Sequence, residues 1–443
     1  MAKPLPALLL AGLPLAAANA YGETEGFLEG SRWDLLNRVV EDRRDYRHGS
    51  RNSAARNAYK PRAARSDRAE EAAYGLMATF TSGFTPGPLG LGLDAHLYSG
   101  LMLDSGGGRA GKARLLAVDN SGQPQPEYSR AGAAAKLRLG GTEVRYGEQR
   151  VKTPVFSSSD SRLLPETATG WWLSNTSVPG LALNAGHFSA STDRNASGHN
   201  GAFVVNYASA RQGSAYNLLG GRWVASPALT LSLYSGEYTD TWRQHYAGAL
   251  YSLPLSATQA LAFDANLYRT QSTGQARAGR IDNTAGSLLG SYSQGSHKLT
   301  LGYQKVRGDT PFDYVTRGAI WLGNAVALSD FNGPGEASWQ LRYDLAMAAY
   351  GVPGLSLSAA YVRGRGIDGR GADPTGGYAY LGYGEGGRHW ERDLEARYVV
   401  QRGPAKGLTL AARYAMHRGN SAQAELDADQ LRLALEYPLK GAW

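Results

Sequence analysis

The chain has 443 residues, with 46 Lys and Arg against 38 Asp and Glu, 8 His and no Cys. The missing cysteines exclude a disulfide framework, and a net charge of +8 is too mild to argue for a nucleic-acid partner by itself. Mean hydropathy is only −0.37, and no run of about twenty apolar residues follows Ala20, which excludes a helical membrane span in the mature chain.

Residues 1–20 read as a secretory signal. Lys3 supplies the positive start, and Leu5 to Ala18 form an apolar stretch interrupted only by Pro6, Gly12 and Pro14. Ala18-Asn19-Ala20 then offers a small-x-small cleavage site before Tyr21. Removing it deletes one basic residue, Lys3, and leaves a net charge of +7 on residues 21–443. We expect those residues to form one domain.

From Trp33 to the C-terminus, about nineteen stretches alternate apolar with polar side chains. Those around Trp33 and Val144 are weak. Clearer ones begin near Ala73, Leu89, Ala131, Trp171, Leu181, Phe203, Asn217 and Leu229. Further ones begin near Trp242, Leu261, Leu288, Leu299, Trp339, Leu355, Leu394, Leu408 and Leu431. Strands of roughly ten residues with one apolar and one wet face, repeated along a whole chain, predict an all-β transmembrane antiparallel barrel of a Gram-negative outer membrane. Such barrels normally have an even strand number, so eighteen is expected. High Gly and Tyr contents, 57 and 26, suit turns and interfacial aromatic girdles.

Short connections, such as Leu139 to Thr142, Val178 to Leu181, Gly351 to Leu355 and Gln401 to Gly407, alternate with long ones at 43–71, 104–129, 149–168, 307–336, 364–391 and 419–428. The 149–168 segment mixes apolar Val155, Phe156, Leu163 and Leu164 with Asp160, Arg162 and Glu166. An exposed loop has no use for those anchors, whereas a loop folded into the barrel packs them on the wall. The 307–336 segment is a second candidate. Residues 43–71 carry nine Arg or Lys but few aromatics. Solvation or lipopolysaccharide contact explains that run better than base stacking.

Inward faces carry charge. From Asp393 the inward set is Asp393, Glu395, Arg397 and Gln401, and from Trp339 it is Gln340, Arg342 and Asp344. Arginines aimed into a wet lumen form a track for an anionic group; alternatively they brace the wall by pairing with Asp393, Glu395 and Asp344. His-Glu-x-x-His and Gly-x-Ser-x-Gly are both absent, and the scattered histidines form no spaced ligand set, so no cofactor, metal or catalytic group is expected.

Several long, ordered segments resemble the OprD-type substrate-specific porins, the outer-membrane carboxylate channels. They are Gly26 to Leu36, Thr81-Ser-Gly-Phe-Thr85, Ser161-Arg-Leu-Leu-Pro165, Gly302 to Val306 with Gly308 to Phe312, Asp330 to Glu336, Tyr350 to Leu355, and Asp393 to Gln401. The resemblance covers nearly all of the mature chain. It implies eighteen strands, a constriction made by an inward-folded loop at Ser161-Arg162, and a basic ladder facing an electronegative pocket. By position, Arg44, Arg162, Arg397, Arg413 and Arg432 look like ladder members, and Tyr207, Tyr314 and Asp330 look like pocket or constriction residues. Ala69 and Ala411 stand where close relatives would carry further ladder members. Gly318, Ala319 and Ala325 stand where relatives that take basic amino acids carry Asp or Ser. The implied function is passive uptake of small carboxylate-bearing solutes by a monomer, including amino acids, basic ones among them, or small peptides. A general diffusion porin, an outer-membrane barrel hydrolase and a plugged structural barrel are the alternatives; saturable flux, hydrolysis and loss of conductance separate them.

Overall fold

A computed structural model describes residues 26–209 and 213–442. The signal reading and the terminal Trp443 lie outside the described residues. Regular alternation produces eighteen strands. The first six are β1 (Arg32–Tyr46), β2 (Arg68–Thr81), β3 (Leu89–Asp104), β4 (Glu127–Leu139), β5 (Thr142–Gln149) and β6 (Thr167–Asn175). Next come β7 (Leu181–Thr192), β8 (Tyr216–Val224), β9 (Leu229–Tyr238), β10 (Trp242–Pro254), β11 (Gln259–Ser272) and β12 (Asp282–Gln294). The last six are β13 (His297–Arg307), β14 (Ala337–Ala346), β15 (Leu355–Asp368), β16 (Glu385–Val399), β17 (Thr409–Gly419) and β18 (Ala428–Ala442). Each pairs antiparallel with its sequence neighbours, and β1 pairs with both β2 and β18. The sheet therefore closes without a free edge, as a membrane-spanning sheet must.

The two faces follow the period of two. On β3, Leu89, Leu91, Leu93, Leu97, Leu101 and Leu103 are exposed on the outer face, and on β14 so are Trp339, Leu341 and Tyr343. Between them on β3, His96, Tyr98 and Gly100 point inward, with Tyr98 buried. Such apolar exposure would be a liability in water and is what hydrocarbon requires.

Three readings of the sequence change here. The stretch at Phe203 is not a strand: Phe203 is a buried loop residue packed edge-on to Phe156 and Tyr238. Its apolar character serves the interior, and removing it from the expected set leaves eighteen. The weak stretch at Trp33 is a strand of fifteen residues, whose alternation is blurred because Leu36 and Val40 turn inward to the core while Asn37, Glu41 and Arg43 fall on the outer face. Strands also run further into the expected loops, so that 43–71 shrinks to a connection over 47–67.

All long connections leave one end of the barrel, and the short turns leave the other, where β1 begins and β18 ends, except the tight β9–β10 turn at 239–241, which lies at the long-loop end. Long loops turn inward and build an interior apolar core in two parts. One gathers Val155, Phe156, Phe188, Tyr216, Tyr268 and Phe312 against the β7–β12 wall. The other gathers Val40, Met77, Tyr98, Leu115, Leu163 and Leu164 against β1–β4. Many tyrosines thus serve the interior rather than a girdle. Tyr216 donates its hydroxyl to the Val155 carbonyl at 2.5 Å and Tyr268 to the Pro154 carbonyl at 3.1 Å, which satisfies otherwise orphaned polar groups.

Candidate functional site in the barrel lumen

The segment 150–166 belongs to both parts of the core. Val155, Phe156, Leu163 and Leu164 are all fully buried, so the loop is anchored at two places on the wall and carries Asp160 to Arg162 between them. Leu163 comes so close to the wall that a Cβ on Gly75 would lie 2.9 Å from its Cγ; only glycine admits it. Arg38, on β1, pins the same loop. Its guanidinium donates to Asp160 Oδ1 at 2.8 Å, to the carbonyls of Arg162 and Leu163 at 3.0 and 3.1 Å, and to Glu436 Oε1 at 2.7 Å.

Cross-strand register then aligns the arginines. Arg44 stands opposite Gln430, and Arg432 stands opposite both Asp42 and Arg413. Glu395 is opposite Arg413, and Arg397 is opposite Ala411. These pairs fall on three successive inward-facing rows, with Arg44 nearest the long-loop end and Arg397 nearest the short turns. Rows two residues apart along a strand lie about 7 Å apart. Ala69 faces Arg44 and Ala411 faces Arg397, so both alanines border the arginine rows without extending them.

The five arginines differ in what occupies them. Arg44 is buried and its Nε meets Asp42 Oδ1 at 3.1 Å. Arg413 reaches Gln430 Oε1 at 3.4 Å through Nη2, while its Nε is buried with no hydrogen-bond partner among the described residues. The Nε of Arg162 is likewise buried and unpartnered. Burial, with Arg432, Arg194 and Arg44 close by, pushes the Arg162 pKa down, so a bound anion there would be favoured. Arg397 is exposed. Arg342, by contrast, braces the wall: its Nη2 meets Asp344 Oδ1 at 2.7 Å and Ser358 Oγ at 2.8 Å.

Tyr207, Tyr314 and Asp330, spread over two loops, come together. Both tyrosine hydroxyls donate to Asp330 Oδ2 at 2.7 Å. Burial pushes Asp330 up, against the lowering effect of the two hydroxyls. The loops that deliver these residues are tied by Asp313, whose carboxylate accepts from the amides of Asn206, Tyr207, Ala208 and Tyr314 at 2.8–3.2 Å. Gly318 and Ala319 do not border open space. The Gly318 amide donates to the Ser157 carbonyl at 3.1 Å, a Cβ there would lie 2.7 Å from that oxygen, and Ala319 is fully buried.

Sequence reasoning missed the long connection at 193–215 altogether, and with it Arg194, whose guanidinium reaches Ser161 Oγ at 3.4 Å. It also missed Lys112, on the 105–126 connection. Burial, with Arg44 and Arg114 nearby, pushes the Lys112 amine down to about 8. A cation on a loop that also carries buried Leu115 and Leu116 was the available signal.

A closed eighteen-stranded wall, lipid-facing outside and lined with fixed charge inside, defines an integral outer-membrane barrel channel. The sequence matches the family model of the outer membrane porin, OprD family, over residues 25–441, and the chain belongs to that family. It is 43% identical to Porin D of Pseudomonas aeruginosa over 438 residues, covering 96% of this chain and 95% of that protein. The crystal structure of Pseudomonas aeruginosa OprD superposes with a TM-score of 0.80 at 40% identity, covering 94% of this chain and 97% of that one. Pseudomonas aeruginosa OpdK with vanillate superposes with a TM-score of 0.82 at 32% identity, covering 94% and 100%. These relatives are porins, which are channels rather than enzymes.

Proposed function

We propose that this porin selects small carboxylate-bearing solutes, amino acids including basic ones or small peptides, and conducts them passively. The observation that carries the reading is the direct cross-strand pairing of Arg413 with Arg432. Like charges held opposite one another are destabilising; Asp42 and Glu395 flank the pair in the same row, and an anion between the two guanidiniums relieves the repulsion that those acids leave. A carboxylate then moves between Arg44, Arg162, the Arg432–Arg413 pair and Arg397, each holding it weakly enough to release it. Tyr207, Tyr314 and Asp330 receive the other end of the solute. With Gly318 and Ala319 packed against the constriction loop and no acid at Ala325, that end is only weakly selected for positive charge. The vanillate of the OpdK structure is itself a small aromatic carboxylate, which fits the same chemistry.

One chain closes the whole wall, so conduction needs no second copy and the porin works as a monomer. Exposed Arg56, Lys60 and Arg62 on the 47–67 connection meet lipopolysaccharide phosphates at the surface. The test is conductance in planar bilayers and liposome swelling with arginine, glutamate and benzoate. Selective, saturable flux that falls in Arg413→Gln and Arg432→Gln is expected. Equal flux of all three solutes, unchanged by either substitution, would replace this reading with general diffusion.

A further inference from the structure

Near the long-loop end of the wall, two histidines and two glutamates from four separate segments are packed together. His389 on β16 and His417 on β17 are both buried, Glu336 precedes β14, and Glu425 lies on the 420–427 connection. The hydrogen bonds fix both imidazole tautomers. His389 Nε2 is 2.6 Å from Glu336 Oε1, and that carboxylate already accepts from the Gly333 amide at 2.8 Å through its other oxygen. Nε2 must therefore carry a proton. His417 Nδ1 is 3.1 Å from the Leu426 carbonyl, which can only accept, so Nδ1 carries the proton there.

With one proton on each ring, both remaining ring nitrogens are lone pairs, and they face each other. His389 Nδ1 lies 2.8 Å from His417 Nε2. Glu425 Oε2 joins them, 3.5 Å from the first and 3.3 Å from the second, and is buried with no hydrogen-bond partner among the described residues. With each ring neutral, three acceptors converge with no donor between them, an arrangement that buried side chains do not tolerate. Either a second proton on His389, shared with His417, or a cation sits among them.

We propose that His389, His417 and Glu425 form a three-ligand site for a divalent transition-metal ion of the zinc class. Metal bonds of about 2.0–2.1 Å in a tetrahedron set neighbouring ligands ~3.3 Å apart; the two Glu425 separations match this, and the imidazole nitrogens, 2.8 Å apart, would part by about 0.5 Å on binding. Two imidazoles with one carboxylate suit zinc, copper or nickel, whereas magnesium and calcium prefer oxygen throughout. The outer contacts are those a metal site needs: Glu336 orients His389 and the Leu426 carbonyl orients His417. Gly364 provides the space, because a Cβ there would lie 1.8 Å from Glu336 Oε1 and 2.8 Å from His389 Nε2. Phe331 stacks on the His389 ring at 4.3 Å and shields it from water. The fourth coordination position stays open for water. A bound ion would clamp the 420–427 connection to the wall. Through Glu336 it would also fix the end of the loop that carries Asp330, whose carboxyl lies within electrostatic reach of Glu425.

The probe is zinc chloride alone, titrated by calorimetry into the purified full-length porin in detergent. We expect about one equivalent bound per chain, with affinity at least tenfold weaker in His417→Ala and in Glu425→Gln and no saturable heat from magnesium chloride. Glu425→Gln keeps the side-chain volume, and the heat-dependent gel mobility of the folded barrel verifies its fold. Zinc should raise the melting temperature of the native porin but not of that variant. Failure to bind zinc, or binding that survives both substitutions, would overturn the site and leave a shared proton between the imidazoles.

Discussion

Two sets of charges inside the same barrel are used in opposite ways. Where loops are held, acids are consumed by backbone amides: the Glu71 carboxylate alone accepts from Gly111, Ala113, Arg114, Leu115 and Leu116 at 2.6–3.4 Å. Glu391 does the same for Leu328 and Ser329, at 2.7 and 2.9 Å. The Nε of Arg413 on β17, and that of Arg162 on the 150–166 loop, are instead buried with no hydrogen-bond partner among the described residues. The difference teaches that the acids holding loops are saturated by backbone amides, while Arg162 and Arg413 each keep a donor for a passing solute.

Glu71→Ala should break the first half of that contrast with the largest effect. Five amides lose their acceptor, which costs about 3 kcal/mol or roughly a hundredfold in the population of an undocked 105–126 segment. Trypsin cleavage after Lys112 or Arg114 reads this directly; unchanged cleavage would mean that Leu115 and Leu116 alone hold the loop.

Next in size, Arg413→Gln or Arg432→Gln should cut glutamate and benzoate flux roughly tenfold, at the lower end of what a focused charged cleft contributes. Arg342→Gln, whose guanidinium is already taken by Asp344, should change flux far less. Equal losses from all three would erase the distinction between free and bracing arginines.

Asp330→Asn keeps a hydrogen-bond acceptor for Tyr207 and Tyr314 but removes the charge. A loss of only a few-fold in arginine conductance is expected at low salt, shrinking as ionic strength rises, with benzoate unaffected. A larger effect on benzoate would move Asp330 out of the cationic role.

The smallest effect is a pH dependence of loop docking. Burial outweighs four backbone donors and pushes Asp313 from the usual carboxylate value of 3.8 to about 6. Between those values the docked loop holds a proton that the undocked loop has released. Raising the pH through this window therefore weakens docking, with no further change above about 6. Hydrogen exchange at residues 206–208, corrected for intrinsic rates, should show this trend in the native porin and lose it in Asp313→Asn.

Much of this was legible without coordinates. Leu408 to His417 and Leu431 to Leu439 assign every side chain to lipid or lumen, because a one-residue slip would expose the whole apolar set to water. The anchors Val155, Phe156, Leu163 and Leu164 marked an inward loop because an exposed loop would not carry them. Other features were opaque. Phe203 looked like a strand because burial against a loop and burial in lipid leave the same apolar letters. The stretch at Trp33 looked weak because apolar Leu36 and Val40 sit on its inner face and polar Asn37, Glu41 and Arg43 on its outer one.

The sequence by itself determined a two-faced wall that must close, since alternation at period two is local and every strand carries it. Only the tertiary structure decided which arginines share a row, which acids are spent on loops, and that two histidines face each other. Those facts depend on cross-strand register and loop return, which bring together groups as distant as Arg38 and Glu436, 398 positions apart. No short-range pattern encodes such a pairing.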